Sequence, residues 1–535
     1  MQEIVSINPA TLEKIGRVPI TPEQKVKEYV SKARSAQPSW SRLAFKERAA
    51  YLLKAREYLL KNIDNFALTI TRDNGKPITE SISAEILPVC DLFYWAAKSA
   101  EKILSPERLC VGIFDLMFRS SRICHEPLGV IGIISPWNYP FSIPVGAAAM
   151  ALMAGNCVVL KPSSATPMVG KKIEELFNAA GLPEFVFTHI PGDSTTGEAL
   201  LDCRLDKVIF TGSVNIGMHV AELCAKKLVP TVLELGGKDA AIIRPDANLD
   251  VASSGVVWGA FTNTGQCCAS IERVYVHESI AKDFTDLVVS KTLKLRVGNG
   301  EEPETDIGPM TTRQQLETVE RHVEEARAKG AKILCGGKIP PAPPLQKGGE
   351  TQLSPPLKKG GTGGFGYFYE PTVLTEVDHS FSCVNEETFG PTLPIMTYSD
   401  DQQAIQLAND SQFALNAYIW GKNIKAAQKM AKNLMAGTVV INDSVYTHAI
   451  AQTPWGGLKH SGWGRTHGKW GFYEVTNLHH IHTNHLTFIK DFWWYPYSKG
   501  LTKTLKKLAN SLTGNSWHKT ASLLTILKIL LMKKL

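Results

Sequence analysis

The sequence lacks the marks of a secreted or metal-scaffolded protein. Its ten cysteines are scattered over 535 residues without any C-x-x-C pair. This argues against a disulfide framework and a zinc ribbon, and it fits a reducing cytoplasm. The N-terminus, MQEIVSINPATLEKIG, has neither a basic start nor an apolar segment, so no secretory signal is expected. We therefore predict a cytoplasmic protein.

Most of the chain also lacks an excess of charge of either sign. The net charge is +7, but residues 488–535 hold nine lysines and a single acid, Asp491, so the remaining residues sum to about −1. A neutral body offers no basic stripe, and no nucleic-acid partner is predicted. Apolar residues make up 44% and charged residues 20%, which is the balance of a soluble globular protein. The length predicts two or three domains.

What is present is an alternation of helical patterns with short β-branched runs. Residues 23–66 carry apolar positions at helical spacing and predict amphipathic helices. The alternation that follows predicts α/β architecture, with doubly wound parallel sheets in two domains. The predicted strands are Val130–Ser135, Cys157–Lys161, Val186–Ile190 and Lys207–Phe210 in the first domain, and Ala240–Ile243, Arg273–Val276, Lys332–Leu334 and Thr438–Asn442 in the second.

One segment, residues 338–366, breaks the alternation. PPLQKGG at 343–349 recurs as PPLKKGG at 355–361, a period of 12 residues. Two copies are too few, and too rich in Gly and Pro, to build a solenoid. We predict a disordered surface insertion, with a docking motif as the alternative.

Three separated residues offer the groups that nucleophilic catalysis needs. NTGQCCAS (263–270) contains two adjacent cysteines, which on their own are usually small core residues. Glu234, in VLELGGKDA, has an apolar setting that would raise its pKa toward that of a useful base. PWNYP (136–140) fixes the amide of Asn138, and such an amide can donate to a developing oxyanion.

With these motifs the sequence resembles the aldehyde dehydrogenase superfamily from Ile7 to about Asn484. The resemblance implies oxidation of an aldehyde to the carboxylic acid with NAD or NADP, through a cysteine thiohemiacetal and thioester, without a metal. Because the base that activates water is present, a non-acylating member is implied. The motifs stand in the family's order: PWNYP, KPSS, FTGSVNIG, LELGGK, NTGQCCAS, EETFGP and PWGGLKHSG.

The resemblance also assigns roles in the reaction. Cys268, the second residue after Gly-Gln, is the implied nucleophile, Asn138 and the Cys268 N–H hold the oxyanion, and Glu234 activates water. An extended chain would turn Cys267 away from the aldehyde, so we interpret Cys267 as a packing residue. A redox role for Cys267, in a vicinal disulfide, is the alternative.

Further positions are implied to bind the cofactor. FTGSVNIG (210–217) follows a predicted strand and opens a helix, whose N-terminus can bind a phosphate. One position departs from the common pattern, because Ser164 stands where the family often has a ribose-binding Glu that would repel a 2′-phosphate. We therefore predict that NADP is accepted. The implied cofactor residues are Trp137, Lys161, Ser164, Gly212, Ser213, Gly217, Leu235, Glu387 and Phe389.

The substrate segment YPFSIPVGAAAM carries no charge. Relatives that oxidise carboxylate-bearing aldehydes often have an Arg there, so we predict an apolar channel for a medium or long aliphatic, or an aromatic, aldehyde. Tyr139 and Trp455 resemble two walls of the aromatic cage of betaine aldehyde dehydrogenases. The other two cage positions are Gly146 and Thr262, and half a cage is weak for a quaternary ammonium ion.

The C-terminal region predicts surface association rather than membrane spanning. HHIHTNH (479–485) lies where the resemblance implies a strand of a subunit-pairing arm in a homo-oligomer, a dimer or tetramer, and we interpret its histidines as a solvated face, with a metal site as the alternative. Beyond it, aromatics in FWWYPYS (492–498) precede leucines at helical spacing among lysines, which is typical of a helix at a membrane surface. Packing of this tail on the body or on a partner subunit is the alternative.

Two rival functions stay open at this point. One is a cysteine-dependent esterase that uses only the thioester half of the chemistry, and the other is a non-catalytic membrane-associated scaffold that kept the fold.

The predicted organisation has four parts. The predicted parts are a dinucleotide-binding domain (1–106 and 128–236), a catalytic domain (237–455, with the 338–366 insertion), an oligomerisation arm (107–127 and 470–487) and a basic amphipathic tail (488–535).

Overall fold

The computed structural model describes most of the chain. Contacts divide the chain into a large unit, Met1–Ile103 with Pro127–Thr476, and a small unit, Leu104–Glu126 with Asn477–Leu535. The described residues are 2–112, 118–340, 345–347, 350–352, 366–488, 490–491 and 493–512.

The large unit begins with a strand pair and a run of helices. Glu3–Ile7 pairs antiparallel with Lys14–Pro19. The first helix buries Val26, Val30 and Ala33 along one face, which is the stripe that three- and four-residue spacing creates. The prediction of amphipathic helices over 23–66 is thus confirmed. The helices of this run are Glu23–Ser41, Phe45–Lys61, Ile63–Asn74, Ile78–Glu80, the π-helical turn Ser81–Ile86, and Leu87–Leu104.

Within the described ranges, the first large sheet has six strands. Five of them run parallel, and the two-residue edge strand runs antiparallel to its neighbour. Every residue of Cys157–Lys161 is buried, as expected for a parallel strand with helices on both faces. The strand order is Gly462–Trp463, Thr231–Glu234, Lys207–Thr211, Val130–Ile134, Cys157–Lys161 and Phe187–His189. The helices between these strands and after them are Ser142–Met153, Pro167–Ala179, Ser194–Asp202, Val214–Ala225 and Gly468–Glu474.

The second large sheet has seven strands within the same ranges. Six run parallel, and the edge strand Lys332–Cys335 is antiparallel. The order is Lys332–Cys335, Thr372–Thr375, Thr392–Tyr398, Ile271–His277, Asp239–Ile243, Asn416–Trp420 and Thr438–Ile441. Its helices are Leu249–Phe261, Ala281–Thr292, Arg313–Ala328, Ser382–Asn385, Asp401–Asn409 and Ile424–Ala431, with 3₁₀ turns at Thr262–Gly265, Glu278–Ile280 and Tyr446–Ala449.

Two short ladders complete the large unit. Phe413–Ala414 pairs with Leu458–Lys459. In the predicted insertion, Leu345–Lys347 pairs with Glu350–Gln352, and most of the rest of 338–366 lies outside the described residues.

The small unit contains a three-stranded sheet and a helix. The sheet order is Thr476–Asn484, Arg119–Pro127 and Glu107–Leu109, and the helix spans Lys499–Leu512. The Arg119 guanidinium pairs with the Asp491 carboxylate and lies 4.9 Å from the Trp493 ring. No helix in the described part of the chain is long and apolar enough to cross a membrane.

The predicted fold class, with two parallel α/β sheets and a small β arm, is confirmed. The exact domain boundaries stay a prediction. The last part of the predicted tail, 513–535, lies outside the described residues.

Candidate active site

The three predicted catalytic residues line one cleft. The cleft has a volume of about 200 Å³ and is bordered by Asn138, Glu234 and Cys268. Asn138 follows the strand Val130–Ile134, and Glu234 ends the strand Thr231–Glu234, which is separated from it in the same sheet by the strand Lys207–Thr211. Because the carboxyl ends of parallel strands meet at one edge of a sheet, residues 138 and 234 come together there. The second sheet supplies Cys268, which lies just before the strand Ile271–His277.

The nucleophile lies in a turn rather than in an extended segment. The N–H of Ser270 donates to the carbonyl oxygen of Cys267 at 3.0 Å. The turn places Cys267 and Cys268 on the wall of the same cavity. Cys267 is buried in a core cluster with Leu415 and Trp455, in agreement with its interpretation as a packing residue. The extended backbone assumed for it is not present, and alternation of side chains holds only for an extended backbone.

Cys268 is the meeting point of two cavities. It borders the cleft that holds Asn138 and Glu234, and it also borders a second, largely apolar cavity of about 270 Å³. Residue 268 therefore lies between the two cavities.

Neighbouring thiols and burial set the acidity of the site. The hydrogen bond from Cys268 lowers the pKa of Cys267, and that contact together with burial raises the pKa of Cys268 well above its usual range. Burial raises the pKa of Glu234 well above that of an ordinary carboxyl group, and the Arg465 guanidinium opposes this shift. The Oε1 atom of Glu234 is buried, and it has no hydrogen-bond partner among the described residues.

Two glycines bring three loops of the site into contact. A Cβ atom on Gly237 would lie 2.1 Å from the carbonyl oxygen of Cys268, and one on Gly236 would lie 2.5 Å from Oε2 of Glu387. The N–H of Gly237 donates to Oε1 of Glu387 at 2.8 Å. Only glycine fits at either position without displacing a neighbour.

The cleft has the features that a dinucleotide requires. The helix Val214–Ala225 begins at the cleft with Ser213 as its N-cap, and the Ser213 side chain makes no capping hydrogen bond. A helix N-terminus with free N–H groups suits a pyrophosphate. The Trp137 and Phe389 rings pack edge to face at 5.4 Å on the wall of the same cleft. The predicted cofactor residues that line the cleft are Trp137, Gly212, Ser213, Leu235, Glu387 and Phe389.

Three predicted cofactor residues do not line this cleft. Gly217 lies beneath it, where a Cβ atom would meet Leu235 Cδ2 at 2.4 Å. Lys161 ends the strand Cys157–Lys161, and its Nζ donates to the Pro162 carbonyl at 3.1 Å. Burial lowers the pKa of Lys161 to about 8. Ser164 is exposed three residues further on.

The apolar cavity contains both predicted substrate residues, Tyr139 and Trp455. Thr262 also lines it, whereas Gly146 does not. Sequence reasoning missed Trp258, Tyr446 and His448, which complete an aromatic wall. Trp258 lies near the end of the helix Leu249–Phe261, four residues before Thr262. Because residues four apart lie on the same face of a helix, the sequence could have indicated that Trp258 is close to Thr262. Nothing local marks Tyr446 or His448, which lie in a 3₁₀ turn.

One histidine, His448, lines this cavity, and a second, His467, packs against it. The His448 ring packs edge to face on Trp455 at 5.0 Å and on His467 at 4.7 Å. Burial lowers the pKa of His467 to about 4 and the pKa of His448 well below its usual range. Both imidazoles are therefore neutral at pH 7, and the cavity wall carries no charge from them.

The histidine-rich strand of the small unit is solvated. Residues His479 and His480 are exposed, and His479 Nδ1 pairs with Glu126 Oε1 at 2.7 Å. Within the described residues, no group of three or more His, Cys, Asp or Glu side chains could hold a metal ion.

A thiol, a carboxylate and an amide thus border one cleft, beside the N-terminus of a helix that follows a parallel strand. This combination defines a cysteine-dependent oxidoreductase with a dinucleotide site.

Comparison with known proteins identifies the family. The model of the Aldehyde dehydrogenase family matches residues 1–481. The chain is 37% identical over 502 residues to 4,4'-diapolycopene aldehyde oxidase of Methylomonas sp, covering 93% of this chain and 89% of that protein. It is 34% identical over 477 residues to a putative succinate-semialdehyde dehydrogenase [NADP(+)] of Mycolicibacterium smegmatis, covering 89% and 87%.

Solved structures agree with this result. The NAD+ complex of an aldehyde dehydrogenase from Bacillus cereus superposes with a TM-score of 0.83 at 31% identity, over 90% of this chain and 94% of that chain. An NADP dependent enzyme from E. coli superposes with a TM-score of 0.82 at 30% identity, over 90% and 95%. The chain belongs to the aldehyde dehydrogenase family. The predictions of the family, of an NAD(P)-dependent enzyme and of NAD or NADP as the cofactor are confirmed.

Proposed function

We propose that the protein oxidises an apolar aldehyde, aliphatic with a medium or long chain or aromatic, to the carboxylic acid. The observation that carries this proposal is the position of Cys268 between an apolar cavity and a dinucleotide cleft. An aldehyde held in the cavity presents its carbonyl carbon to the sulfur, with Asn138 and Glu234 on the other side.

The proposed mechanism assigns one task to each side chain. The Cys268 thiolate attacks the carbonyl carbon, and the Asn138 amide and the Cys268 N–H donate to the resulting oxyanion. The chemistry that NAD(P)+ supplies when bound is acceptance of a hydride, which converts the thiohemiacetal into a thioester. Glu234 then takes a proton from water, and the hydroxide displaces the Cys268 sulfur to release the acid.

The lining of the cavity supports an apolar substrate. Its walls are aromatic and aliphatic side chains, including Tyr139, Trp258 and Trp455, and no Lys or Arg borders it among the described residues. A second carboxylate, as in succinate semialdehyde, would have no cation to pair with and would be costly to bury. The name of the Methylomonas relative, 4,4'-diapolycopene aldehyde oxidase, agrees with an aldehyde substrate.

An aldehyde panel tests the substrate class. Decanal, benzaldehyde, succinate semialdehyde and betaine aldehyde are compared by absorbance at 340 nm with each cofactor. We expect kcat/KM for the first two to exceed that for the two charged aldehydes by at least about 100-fold, because burying an unpaired charge is costly. A preference for either charged aldehyde would overturn the proposed class.

We further propose that NADP is accepted because Ser164 is uncharged. An acid at this position would repel a 2′-phosphate, and Lys161 lies three residues before it. Ser164→Glu is expected to raise KM for NADP without a comparable change for NAD. A wild-type preference for NAD of at least about 100-fold would contradict the proposal.

The tail is proposed to bind an anionic membrane surface. In the helix Lys499–Leu512, Lys503 and Lys506 are exposed, and the ring of Tyr495 before it is 81% exposed. Exposed aromatics beside a basic amphipathic helix favour the lipid interface. Truncation after Ser498 is expected to abolish sedimentation with phosphatidylserine vesicles. Unchanged sedimentation would leave the tail as a packing element.

Finally, we propose a homo-oligomer, a dimer or tetramer, paired through the sheet of the small unit. The edge strand Glu107–Leu109 pairs with a neighbour on one side only within the described residues, and such an edge can accept another strand. Analytical ultracentrifugation tests this, and a monomer at micromolar concentration would contradict it.

A further inference from the structure

Both peptide groups that flank Asn138 are held by buried side chains. The carbonyl oxygen of Trp137 accepts a hydrogen bond from Asn74 Nδ2 at 2.9 Å. The carbonyl oxygen of Asn138 accepts two, from Lys76 Nζ at 2.9 Å and from Asn263 Nδ2 at 2.9 Å. Fixing both peptide planes fixes φ and ψ of residue 138, and with them the direction of its Cβ bond.

The charged member of this set, Lys76, is fully buried. Its Nζ pairs with Glu85 Oε1 at 2.7 Å, and neither side chain is exposed to solvent. Oε2 of Glu85 in turn accepts hydrogen bonds from the N–H groups of Phe141 and Ser142 at 3.1 and 2.7 Å. The ion pair therefore holds the loop at residue 138 and the start of the following helix at the same time.

We propose that Lys76 is a positioning residue that orients the oxyanion-binding amide of Asn138. A buried ion pair is by itself weak evidence of a gain in stability, because desolvation offsets much of the attraction. A role in orienting the catalytic amide of Asn138 explains why a charged side chain is buried at residue 76, because misplacement of such an amide by about 1 Å can lower the rate about 100-fold. This inference rests on the proposed role of Asn138 in oxyanion binding.

A double-mutant cycle separates positioning from general stability. Lys76→Met is combined with Glu85→Gln so that the Glu85 carboxylate does not stay buried without its partner, and kcat is measured with and without Asn138→Ala. We expect the Lys76/Glu85 variant to lower kcat about 10- to 100-fold with KM within about threefold. In the Asn138→Ala background, which has already lost the amide, we expect less than a twofold further loss.

The chain offers a matched control in Lys238 and Glu272. This pair is equally buried, and Lys238 Nζ also contacts Thr388 Oγ1 at 3.2 Å rather than the loop at residue 138. The effect of Lys238→Met with Glu272→Gln is expected to multiply with that of Asn138→Ala, as independent sites do. The proposal is overturned if the Lys76/Glu85 variant keeps kcat within twofold, or if its effect also multiplies with that of Asn138→Ala.

If the Lys76/Glu85 variant does not fold, a second variant, Asn263→Gly, tests whether the Asn138 carbonyl must be held for catalysis. Asn263 has a φ of 49°, which glycine adopts freely, so Asn263→Gly keeps the backbone while removing the donor to the carbonyl oxygens of Asn138 and Gln266. It is expected to lower kcat at least fivefold in the wild-type background and by less than twofold beside Asn138→Ala. Multiplying effects would refute the proposal.

Hydrolysis of 4-nitrophenyl acetate keeps this test distinct from that of the overall function. Ester hydrolysis needs the thiol and the oxyanion donors but no cofactor. If the wild type fails to oxidise any aldehyde while the same coupling appears in ester hydrolysis, the proposed function fails and the role of Lys76 stands.

Discussion

The α-carbon of Gly237 packs directly on the backbone of Cys268, so that a Cβ atom at residue 237 would lie 2.1 Å from the carbonyl oxygen of Cys268. The neighbouring Gly236 faces a different group, the carboxylate of Glu387. Two adjacent glycines thus support two different parts of the site.

Alanine substitutions at these glycines should have different kinetic effects. Gly237→Ala displaces the nucleophile, and we expect kcat to fall about 100-fold. Gly236→Ala displaces Glu387, and we expect mainly a higher KM for the cofactor. Steady-state kinetics of both variants checks this, and equal effects on kcat and KM in the two variants would contradict the division of roles.

Substitution of Cys267 should make the neighbouring Cys268 thiol more reactive. Contact with Cys267 is the largest cause that raises the pKa of Cys268, so Cys267→Ser should lower that pKa. The pH dependence of alkylation of Cys268 by iodoacetamide should then shift to lower pH. Cys268→Ser serves as the control and should lose both rapid alkylation and aldehyde oxidation. A shift of the Cys267→Ser profile to higher pH would refute this prediction.

Glu234→Gln should lower the activity and raise the thermal stability. Burial raises the pKa of Glu234, so the folded state holds a proton that the unfolded state releases above a pH of about 4.3. Ionisation therefore destabilises the fold increasingly as pH rises, and the amide removes this cost. We expect kcat to fall at least about 100-fold while the melting temperature rises, more at pH 8 than at pH 5. A lower melting temperature at pH 8 would count against this account.

Acid sensitivity should depend on His467. Burial lowers its pKa from 6.5 to about 4, so below pH 6.5 the unfolded state binds a proton that the folded state does not. Stability is therefore complete above pH 6.5 and is lost as pH falls toward 4, by on the order of 3 kcal/mol. His467→Asn, which tolerates the φ of 61°, should flatten this loss in urea unfolding.

The exposed His480 provides the control for that experiment. His480→Asn should leave the acid part of the stability profile unchanged, because this side chain is exposed in the folded protein. An equal effect of the two substitutions would remove burial as the cause.

Sequence reasoning anticipated the parts of the site that lie in continuous motifs. Glu234 and Asn138 were predicted from their local setting, the choice of Cys268 over Cys267 followed from the family resemblance, and the structure brings all three to one cleft. The assumption that failed was an extended backbone at Cys267, where the chain instead forms a turn with one backbone hydrogen bond. Turn geometry at a single residue leaves no periodic signal in the sequence.

Residues contributed by distant segments were the ones missed. Tyr446 and His448 reach the substrate cavity from a 3₁₀ turn about 180 residues after Cys268, and no local pattern connects them with the nucleophile. Lys76 is separated from Asn138 by 62 residues in the chain, yet its ammonium group holds the carbonyl of that residue.

The sequence by itself determined the architecture and the kind of chemistry. Strand and helix periodicities specify which faces are buried, and the Cys, Glu and Asn motifs specify a nucleophile, a base and an oxyanion donor. Only the tertiary structure decided which side chains form the cavity walls, where both thiols point and which buried charges support the site. These depend on contacts between segments far apart in the chain, and such contacts arise only when the two sheets pack and exclude water.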